Sequence, residues 1–257
     1  AKEHGLPLHQ PASWKTPEAA ELMRSFNADI CMMAYVLLFV PQDVRDAPTF
    51  GTFQYHPSLC PMHRGPSSIN WPIAMGKTRT GLTIFWPDDG LDEGPIFLQK
   101  SCDIGPDETI GDVYFKKLFP MGVDAMIECL DLVKAGVIIK HDQRLEDGSY
   151  ESWFKKDLAE LDWTKPVADT YNTIRAANPA PGAWVPFRGQ TLSIFDAEKL
   201  DAPGESGQVI AIDETGIVVG AGTGSIRIKR VRLDKGDKVP AAQFAADAGL
   251  TAGSPLS

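Results

Sequence analysis

Short apolar segments alternate with longer amphipathic segments along the first half of the chain. Residues 28–34 have the length and continuous apolar composition of a strand buried on both faces, and residues 50–55 and 82–86 are two further short strand candidates. Helical spacing is present at residues 17–26, with Thr16 as the N-cap, and at residues 109–135, where Pro120 should kink or split the helix. Strands that alternate with helices predict an α/β fold with an open, mostly parallel sheet, which binds ligands at the carboxyl ends of its strands.

The pattern changes after residue 140, where a polar and charged segment without a long apolar run begins. A helix is predicted at residues 166–177, because the Pro- and Gly-rich segment that follows cannot continue it. From residue 190 onward, β-rich runs alternate with Gly and Asp turns at intervals of about ten residues, which is typical of a small sandwich or barrel. We therefore expect a catalytic domain at residues 1–141, a linker at 142–158 and a β domain at 159–257.

Composition and charge narrow the function classes. The chain of 257 residues has a formal net charge of -9 and a pI near 5.0, which disfavours a broad surface for nucleic acid or anionic membrane. Its basic cluster, residues 227–238, is expected to be the solvated edge of a strand. The four cysteines lack CxxC spacing and are expected to be reduced, buried thiols of a cytoplasmic protein. The longest apolar run, residues 30–41, is too short for a membrane helix, and we expect neither a membrane span nor a signal peptide.

Candidate chemistry lies in two loops that follow the second and third predicted strands. His56 follows the second strand, and Asp88, Asp89 and Asp92 lie in a Gly-bounded loop after the third. Paired aspartates before a glycine are ordinary turn residues, whereas no turn requires Asp92, and a histidine alone is more often structural than catalytic. A carboxylate beside a histidine can hold its tautomer and take part in proton transfer, so His56 and Asp92 are candidate catalytic residues.

Other chemistries receive less support. Arg64 has two possible roles, and the sequence leaves both open: it binds a carboxylate or phosphate group of a ligand, or it stabilises its own loop (the loop-pinning alternative). The spacing of the aspartates differs from that of a calcium-binding loop, so no metal is expected. The chain contains no GxGxxG, GxxxxGK(S/T) or GxSxG motif, which disfavours ordinary dinucleotide, P-loop and α/β-hydrolase chemistry.

The two loops resemble those of the folate-dependent formyltransferase family. Residues 54–61 read QYHPSLCP, Arg64-Gly65 follows, and the later loop reads DDGLD. The segments INW, FW, LQK, DW and PGAW occur in the same order as in the family's hydrolase domains, so the resemblance covers essentially the whole chain. It implies a Rossmann-like domain followed by a small OB-like β-barrel, with 10-formyltetrahydrofolate as formyl donor and no metal. The implied acceptor is water, an amine or initiator methionyl-tRNA, and the acidic chain makes tRNA less attractive.

The resemblance also implies roles for individual residues. His56 matches the family's catalytic histidine and Asp92 its catalytic aspartate. Two segments match the walls that recognise the pterin ring of the folate: Met33, Ala34, Tyr35, Val36 and Leu37 on one side, and Asp88, Asp89 and Gly90 on the other. Where the transferases have an asparagine that helps hold the formyl oxygen, this chain has Gln54, the third candidate catalytic residue. Its extra methylene moves the amide, so transferase and hydrolase both stay open.

The start of the chain departs from the family pattern. Ala1 aligns near the end of the family's second β-α unit, so the first β-α units are expected to be missing. A sheet without its first strand would expose apolar surface, so we expect that the natural protein is longer or that a partner polypeptide supplies the strand. The alternative function is a noncatalytic folate-binding or formyl-handling subunit of a larger assembly. The incomplete start and Gln54 favour that alternative, whereas the pairing of His56 with Asp92 opposes it.

Overall fold

A computed structural model describes residues 1–256, and the chain divides into two compact units. The first unit comprises Ala1–Pro66, Leu82–Lys100 and Met121–Tyr150. The second comprises the remaining described segments, which begin at Ser67, Ser101 and Glu151. Both units are discontinuous in sequence, and the candidate catalytic residues all belong to the first.

The helices of the described chain follow the predicted pattern in part. The α-helices are α1 (Pro17–Ser25), α2 (Gln42–Arg45), α3 (Asn70–Ala74), α4 (Ile110–Val113), α5 (Phe119–Lys134), α6 (Val167–Ala177) and α7 (Ala241–Ala248). Short 3₁₀ helices lie at Lys2–His4, Leu145–Asp147 and Lys156–Ala159, and a π-helical turn lies at Tyr114–Leu118. The predicted helices at 17–26 and 166–177 are confirmed as α1 and α6. The predicted break near Pro120 is confirmed as the π-helical turn between α4 and α5, because a proline lacks the N–H that a regular helical ladder requires.

A four-stranded sheet positions the candidate site. Its strands, in spatial order, are β1 (Cys31–Met33), β2 (Thr52–His56), β3 (Arg79–Phe85) and β4 (Ile96–Asp103). β1 and β2 are parallel whereas β2 and β3 are antiparallel, so the prediction of a mostly parallel sheet is wrong. A parallel β2–β3 pair would need a crossover connection, usually a full helix, and the helix in this connection, α3, has only 5 residues. The three predicted strands are present with shifted bounds. β4 was not predicted, because its apolar run covers only Ile96–Leu98 and the polar residues Gln99, Lys100 and Ser101 follow.

The core of the first unit lies between α5 and one face of this sheet. Buried side chains from α5 pack against side chains of the strands: Ala125, Cys129 and Val133 against Phe53, Leu82, Ile84, Trp86 and Phe97. Gly122 allows the close approach, since a Cβ there would lie 2.6 Å from the ring of Tyr55. Side chains alternate between the two faces of a strand, so Tyr55 points to α5 and its neighbours Gln54 and His56 point to the opposite face.

The second unit contains the strand-rich end of the chain. Its further strands are β5 (Ala183–Phe187), β6 (Gln190–Ile194), β7 (Ala197–Leu200), β8 (Val209–Asp213), β9 (Gly216–Ala221), β10 (Gly224–Ile228), β11 (Arg230–Leu233) and β12 (Val239–Pro240). They form two antiparallel sheets, of order β7-β10-β9-β8 and β12-β11-β6-β5, and neither sheet closes on itself. The predicted β-rich runs are confirmed as β6 and β8 to β11. β5, β7, β12 and α7 were not predicted.

All four cysteines are free; Cys60 and Cys129 are buried, and Cys31 and Cys102 are partly buried. Burial raises the pKa of the Cys60 thiol to about 11, so this sulfur is a protonated side chain at neutral pH and a poor nucleophile. Within residues 1–256, every helix falls short of the combined length and apolar character that a membrane crossing demands.

Candidate active site

His56 is the last residue of β2 and only 6% exposed. Its Nε2 lies 3.2 Å from the backbone carbonyl oxygen of His63. A carbonyl only accepts hydrogen bonds, so Nε2 carries the proton and donates it to this oxygen. Nδ1 points the other way and lies 3.6 Å from Oδ2 of Asp92. Only Nδ1 is therefore available to a bound substrate.

Side chains of β3 and β4 hold the loop that follows His56. Thr83, which lies opposite His56 in the β2–β3 register, donates from Oγ1 to the carbonyl of Ser58 over 2.7 Å. The same Oγ1 accepts from the backbone N–H of Cys60 over 3.0 Å. Gln99 donates from Nε2 to the Cys60 carbonyl over 2.6 Å. The loop is thereby fixed to the sheet, and it directs the His63 carbonyl at the imidazole.

Asp92 is held both at its side chain and at its backbone. Its Oδ2 accepts a hydrogen bond from the backbone N–H of Gly65 over 2.9 Å. Its backbone has a φ of 58°, a left-handed conformation that is uncommon for a residue with a side chain. Gln143 stabilises this backbone, because its Nε2 donates to the Asp92 carbonyl over 3.0 Å and to the Gly94 carbonyl over 2.8 Å. Gln143 lies in the segment predicted as a linker, and the sequence pattern did not single it out.

His56 and Asp92 come together by a different route from the one predicted. The prediction placed both loops at the carboxyl ends of parallel strands. Because β3 runs antiparallel to β2, its last residue, Phe85, lies beside Gln54, and the loop after β3 must turn back to bring Asp92 to His56. The hairpin is closed at its base by a 2.9 Å hydrogen bond from the Trp86 N–H to the Pro95 carbonyl.

The remaining charged residues of the two loops are paired within the first unit. Arg64 forms a 2.6 Å ion pair with Glu93, which fits the loop-pinning alternative for this arginine. Asp88 accepts from the Gly90 N–H over 2.9 Å, an ordinary turn contact. Asp89 has a side chain that is 77% exposed and pairs with Arg45 over 2.7 Å. Arg45 also donates to the Asp88 carbonyl, and it was not predicted as a site residue.

The segment after β1 lies next to Gln54. β1 and β2 pair in parallel with Met33 opposite Gln54, and Met33 is buried. Tyr35 has a left-handed φ of 60° and is 73% exposed. The other residues of this predicted wall range from half-buried to exposed: Ala34, Val36 and Leu37. Gln54 itself is half-buried on the same face of β2 as His56.

Burial sets the protonation of the histidine. Desolvation lowers the pKa of His56 below its usual range, while the Asp92 carboxylate and the His63 carbonyl act in the opposite direction. The neutral imidazole is therefore favoured, with a lone pair on Nδ1. That lone pair and the Asp92 carboxylate are two acceptors 3.6 Å apart with no proton between them to share. An O–H or N–H group placed beside both can give up its proton to the pair.

Among residues 1–256, no three or more His, Cys, Asp or Glu side chains are grouped so that they could hold a metal ion.

Family models match both parts of the chain. Residues 2–130 match the model described as formyl transferase, and residues 154–249 match that of the formyl transferase C-terminal domain. The chain is 34% identical to the mitochondrial 10-formyltetrahydrofolate dehydrogenase of Mus musculus over 95% of its own length but only 28% of the relative. It is 32% identical to the methionyl-tRNA formyltransferase of Geobacter sulfurreducens over 100% of its length and 80% of the relative. The chain thus spans less than a third of the dehydrogenase relative and most of the transferase.

Solved structures show the same fold. HypX from Aquifex aeolicus in complex with tetrahydrofolic acid aligns with a TM-score of 0.72 and 20% identity, over 89% of this chain and 41% of that one. A 4-N formyltransferase from Francisella tularensis aligns with a TM-score of 0.58 and 21% identity, over 65% of this chain and 70% of that one.

Proposed function

This chain belongs to the formyl transferase family, and from that premise we propose that it takes the formyl group from 10-formyltetrahydrofolate and passes it to water or an amine. The observation that carries the proposal is the pair of His56 Nδ1 and Asp92 Oδ2, 3.6 Å apart. Thr83 fixes the loop that follows His56 to the sheet, and the Gly65 N–H of that loop holds Asp92 Oδ2 in place. A general base that deprotonates a nucleophile needs this arrangement.

Asp92 accepts the proton of the attacking water or amine as the new bond to the formyl carbon forms. The electron pair of the carbonyl bond moves to the formyl oxygen, and the developing oxyanion needs a donor. His56 can supply one only from Nδ1, since the His63 carbonyl holds the Nε2 proton, so the proton that Asp92 takes from the nucleophile must pass to Nδ1 as the oxyanion develops. Gln54, on the same face of β2, adds an amide donor. When the bond from carbon to N10 breaks, the pair returns a proton to N10.

The folate would lie between the two predicted walls. One wall is formed by residues 33–37 and the other by Asp88, Asp89 and Gly90. Arg45 links these segments, because its guanidinium group pairs with Asp89 and lies 6.0 Å from the ring centre of Phe39, just beyond the first wall. An exposed, partly apolar segment beside a polar turn fits a flat heteroaromatic ring with polar edges.

A second candidate acceptor is initiator tRNA, favoured by the identity to the Geobacter methionyl-tRNA formyltransferase. Water as the acceptor is favoured by the identity to the dehydrogenase relatives.

We also propose a division into domains. Residues 1–141 carry catalysis, residues 142–158 form a linker, and the β-rich segment 159–257 has an OB-like fold.

The test is incubation with 10-formyltetrahydrofolate while release of tetrahydrofolate is followed. Release in buffer alone indicates a hydrolase, and release only with an added amine or tRNA indicates a transferase. Binding without release would instead support the noncatalytic subunit.

Two variants test whether His56 and Asp92 carry this activity. His56→Ala and Asp92→Asn should each lower kcat by about 10² or more, because each removes a proton-transfer group or the oxyanion donor. Binding of tetrahydrofolate should stay within about threefold of wild type, since neither residue belongs to the predicted walls. Normal turnover by His56→Ala would contradict the mechanism.

A further inference from the structure

Arg45, at the end of α2, is a buried cation whose partners do not explain its burial. Its side chain is 6% exposed, and its Nε is buried without a hydrogen-bond partner among the described residues. Its acidic partner, Asp89, is 77% exposed and is therefore well solvated whether or not the pair forms. Burying a charge against a solvated partner gains little stability, and an apolar residue of similar volume often serves the fold as well. The arginine therefore calls for a role other than stability.

The contacts of Arg45 join three segments of the first unit. Nη1 donates to the carbonyl of Asp88 and Nη2 to Oδ1 of Asp89 over 2.7 Å. The guanidinium group therefore binds both the backbone and a side chain of the loop between β3 and β4, residues 86–95, which we call the catalytic loop. The guanidinium carbon lies 6.0 Å from the ring centre of Phe39, within the range of a cation–π contact. The Arg45 carbonyl accepts from Oγ1 of Thr52 over 2.6 Å, which ties α2 to β2.

The catalytic loop is held separately at its two ends. Arg45 contacts its first residues, Asp88 and Asp89, whereas Gln143 contacts the backbone of Asp92 and Gly94. Loss of one contact set leaves the other in place. Each end should therefore control a different property of the site.

We propose that Arg45 is a positioning residue that sets the distance between the two walls of the folate site, and so controls folate affinity and not the chemical step. The proposal rests on the proposed function, because the walls are those assigned to the pterin ring. Arg45 acts through the Asp88–Asp89 turn on one wall and through Phe39 on the segment that continues the other. Asp92 keeps its position because Gln143 and the N–H of Gly65 hold it.

The experiment compares Arg45→Met and Arg45→Lys with wild type, using steady-state kinetics with 10-formyltetrahydrofolate and equilibrium binding of tetrahydrofolate. Arg45→Met keeps the packing volume and removes the hydrogen bonds to the Asp88–Asp89 turn and the cation–π contact with Phe39. KM and the tetrahydrofolate Kd should therefore each rise about tenfold while kcat stays within about twofold. Arg45→Lys keeps the charge but lacks the forked donor, so its Kd should lie between those of wild type and Arg45→Met. The thermal midpoint of Arg45→Met should equal or exceed that of wild type.

Two matched controls separate this role from a general loss of structure. Lys15 lies over the same Phe39 ring, at 5.6 Å, and is not bonded to the Asp88–Asp89 turn, so Lys15→Met should leave KM and kcat unchanged. Gln143→Leu releases the other end of the loop, so it should lower kcat by about tenfold or more with tetrahydrofolate Kd within about twofold.

The outcomes are distinguishable. An unchanged Kd in Arg45→Met, or a fall in kcat at unchanged Kd, overturns the proposal while the proposed function stands. If Arg45→Met does not fold, the Kd of Arg45→Lys decides, and a wild-type value overturns the proposal. If wild type neither binds tetrahydrofolate nor consumes 10-formyltetrahydrofolate, the proposed function fails first, and the role of Arg45 fails with it.

Discussion

At the scale of single residues, the candidate site depends on where one proton lies. The His63 carbonyl keeps a proton on Nε2 of His56, burial disfavours a second proton, and Asp92 partly offsets that cost. A neutral imidazole beside a carboxylate can accept a proton but cannot yet donate one from Nδ1. The pair is therefore prepared for the step in which a nucleophile loses its proton.

Folding stability should fall as the pH is lowered through the usual histidine range. Because burial lowers the pKa of His56 in the folded chain, the unfolded chain binds this proton first, from pH 6.5 downward. The neutral histidine thus contributes full stability above pH 6.5, and that contribution is lost as the pH falls to the lower folded pKa. Urea unfolding of wild type and His56→Gln between about pH 7.5 and about pH 5.5 measures this. Wild type should lose more stability than the variant, and equal losses would contradict the prediction.

At the scale of the element, the hairpin loop between β3 and β4 determines the position of Asp92. The loop is closed by the bond between Trp86 and Pro95, and its interior is bonded to Arg45, Arg64 and Gln143. Gly94 passes so close to the chain of β3 that a Cβ would lie 1.9 Å from the Trp86 carbonyl oxygen. Only a residue without a side chain fits there, so the glycine allows the loop to return.

The variant Gly94→Ala should therefore shift the loop. We expect a loss of about 1–3 kcal/mol in the free energy of unfolding, and a fall in kcat of about tenfold or more as Asp92 moves from His56. Denaturant unfolding and turnover measure the two effects. Gly236→Ala is the matched control, because this exposed glycine has only the Leu233 carbonyl nearby, at 3.1 Å. The same response in both variants would contradict the argument.

At the scale of the whole molecule, the distribution of charge bears on which formyl acceptor the protein uses. The net charge is -9, and three of the six Lys and Arg residues at positions 227–238 form ion pairs with acidic neighbours within their own unit. The ion pairs are Arg227–Asp213 at 2.7 Å, Lys229–Glu198 at 3.1 Å and Arg230–Asp196 at 3.4 Å. Phosphate binding draws its affinity from cations that are free to replace counterions. The charge distribution thus favours a small acceptor over tRNA.

Binding of initiator tRNA should consequently be weak. We expect a dissociation constant no tighter than about 10⁻⁶ M at physiological salt, the value typical of nonspecific contacts. Filter binding at several salt concentrations, with an unrelated tRNA as control, measures it. Tighter binding that is selective for initiator tRNA, with a steep dependence on salt, would make tRNA the preferred acceptor.

Much of the fold could be read from local patterns. The apolar runs predicted the first three strands, and Pro120 predicted the break before α5. The alternating runs after residue 190 predicted most of the C-terminal strands. β4 was not predicted, because its apolar run is too short. The antiparallel direction of β3 was not predicted, because strand direction depends on the path of the connection and not on the strand's own residues.

For the site, the sequence by itself determined the candidate side chains: a histidine and an amide at the end of one strand and a carboxylate in a later loop, with the family to which the chain belongs. Only the tertiary structure decided the geometry. The reversed direction of β3, the return of the hairpin at Gly94 and the proton held by the His63 carbonyl all depend on how the chain folds back on itself. Arg45 and Gln143 carry no local signal for the same reason, since their roles come from hydrogen bonds that span 43 to 51 residues. Side-chain type is fixed by the sequence, whereas contact between distant segments exists only after folding.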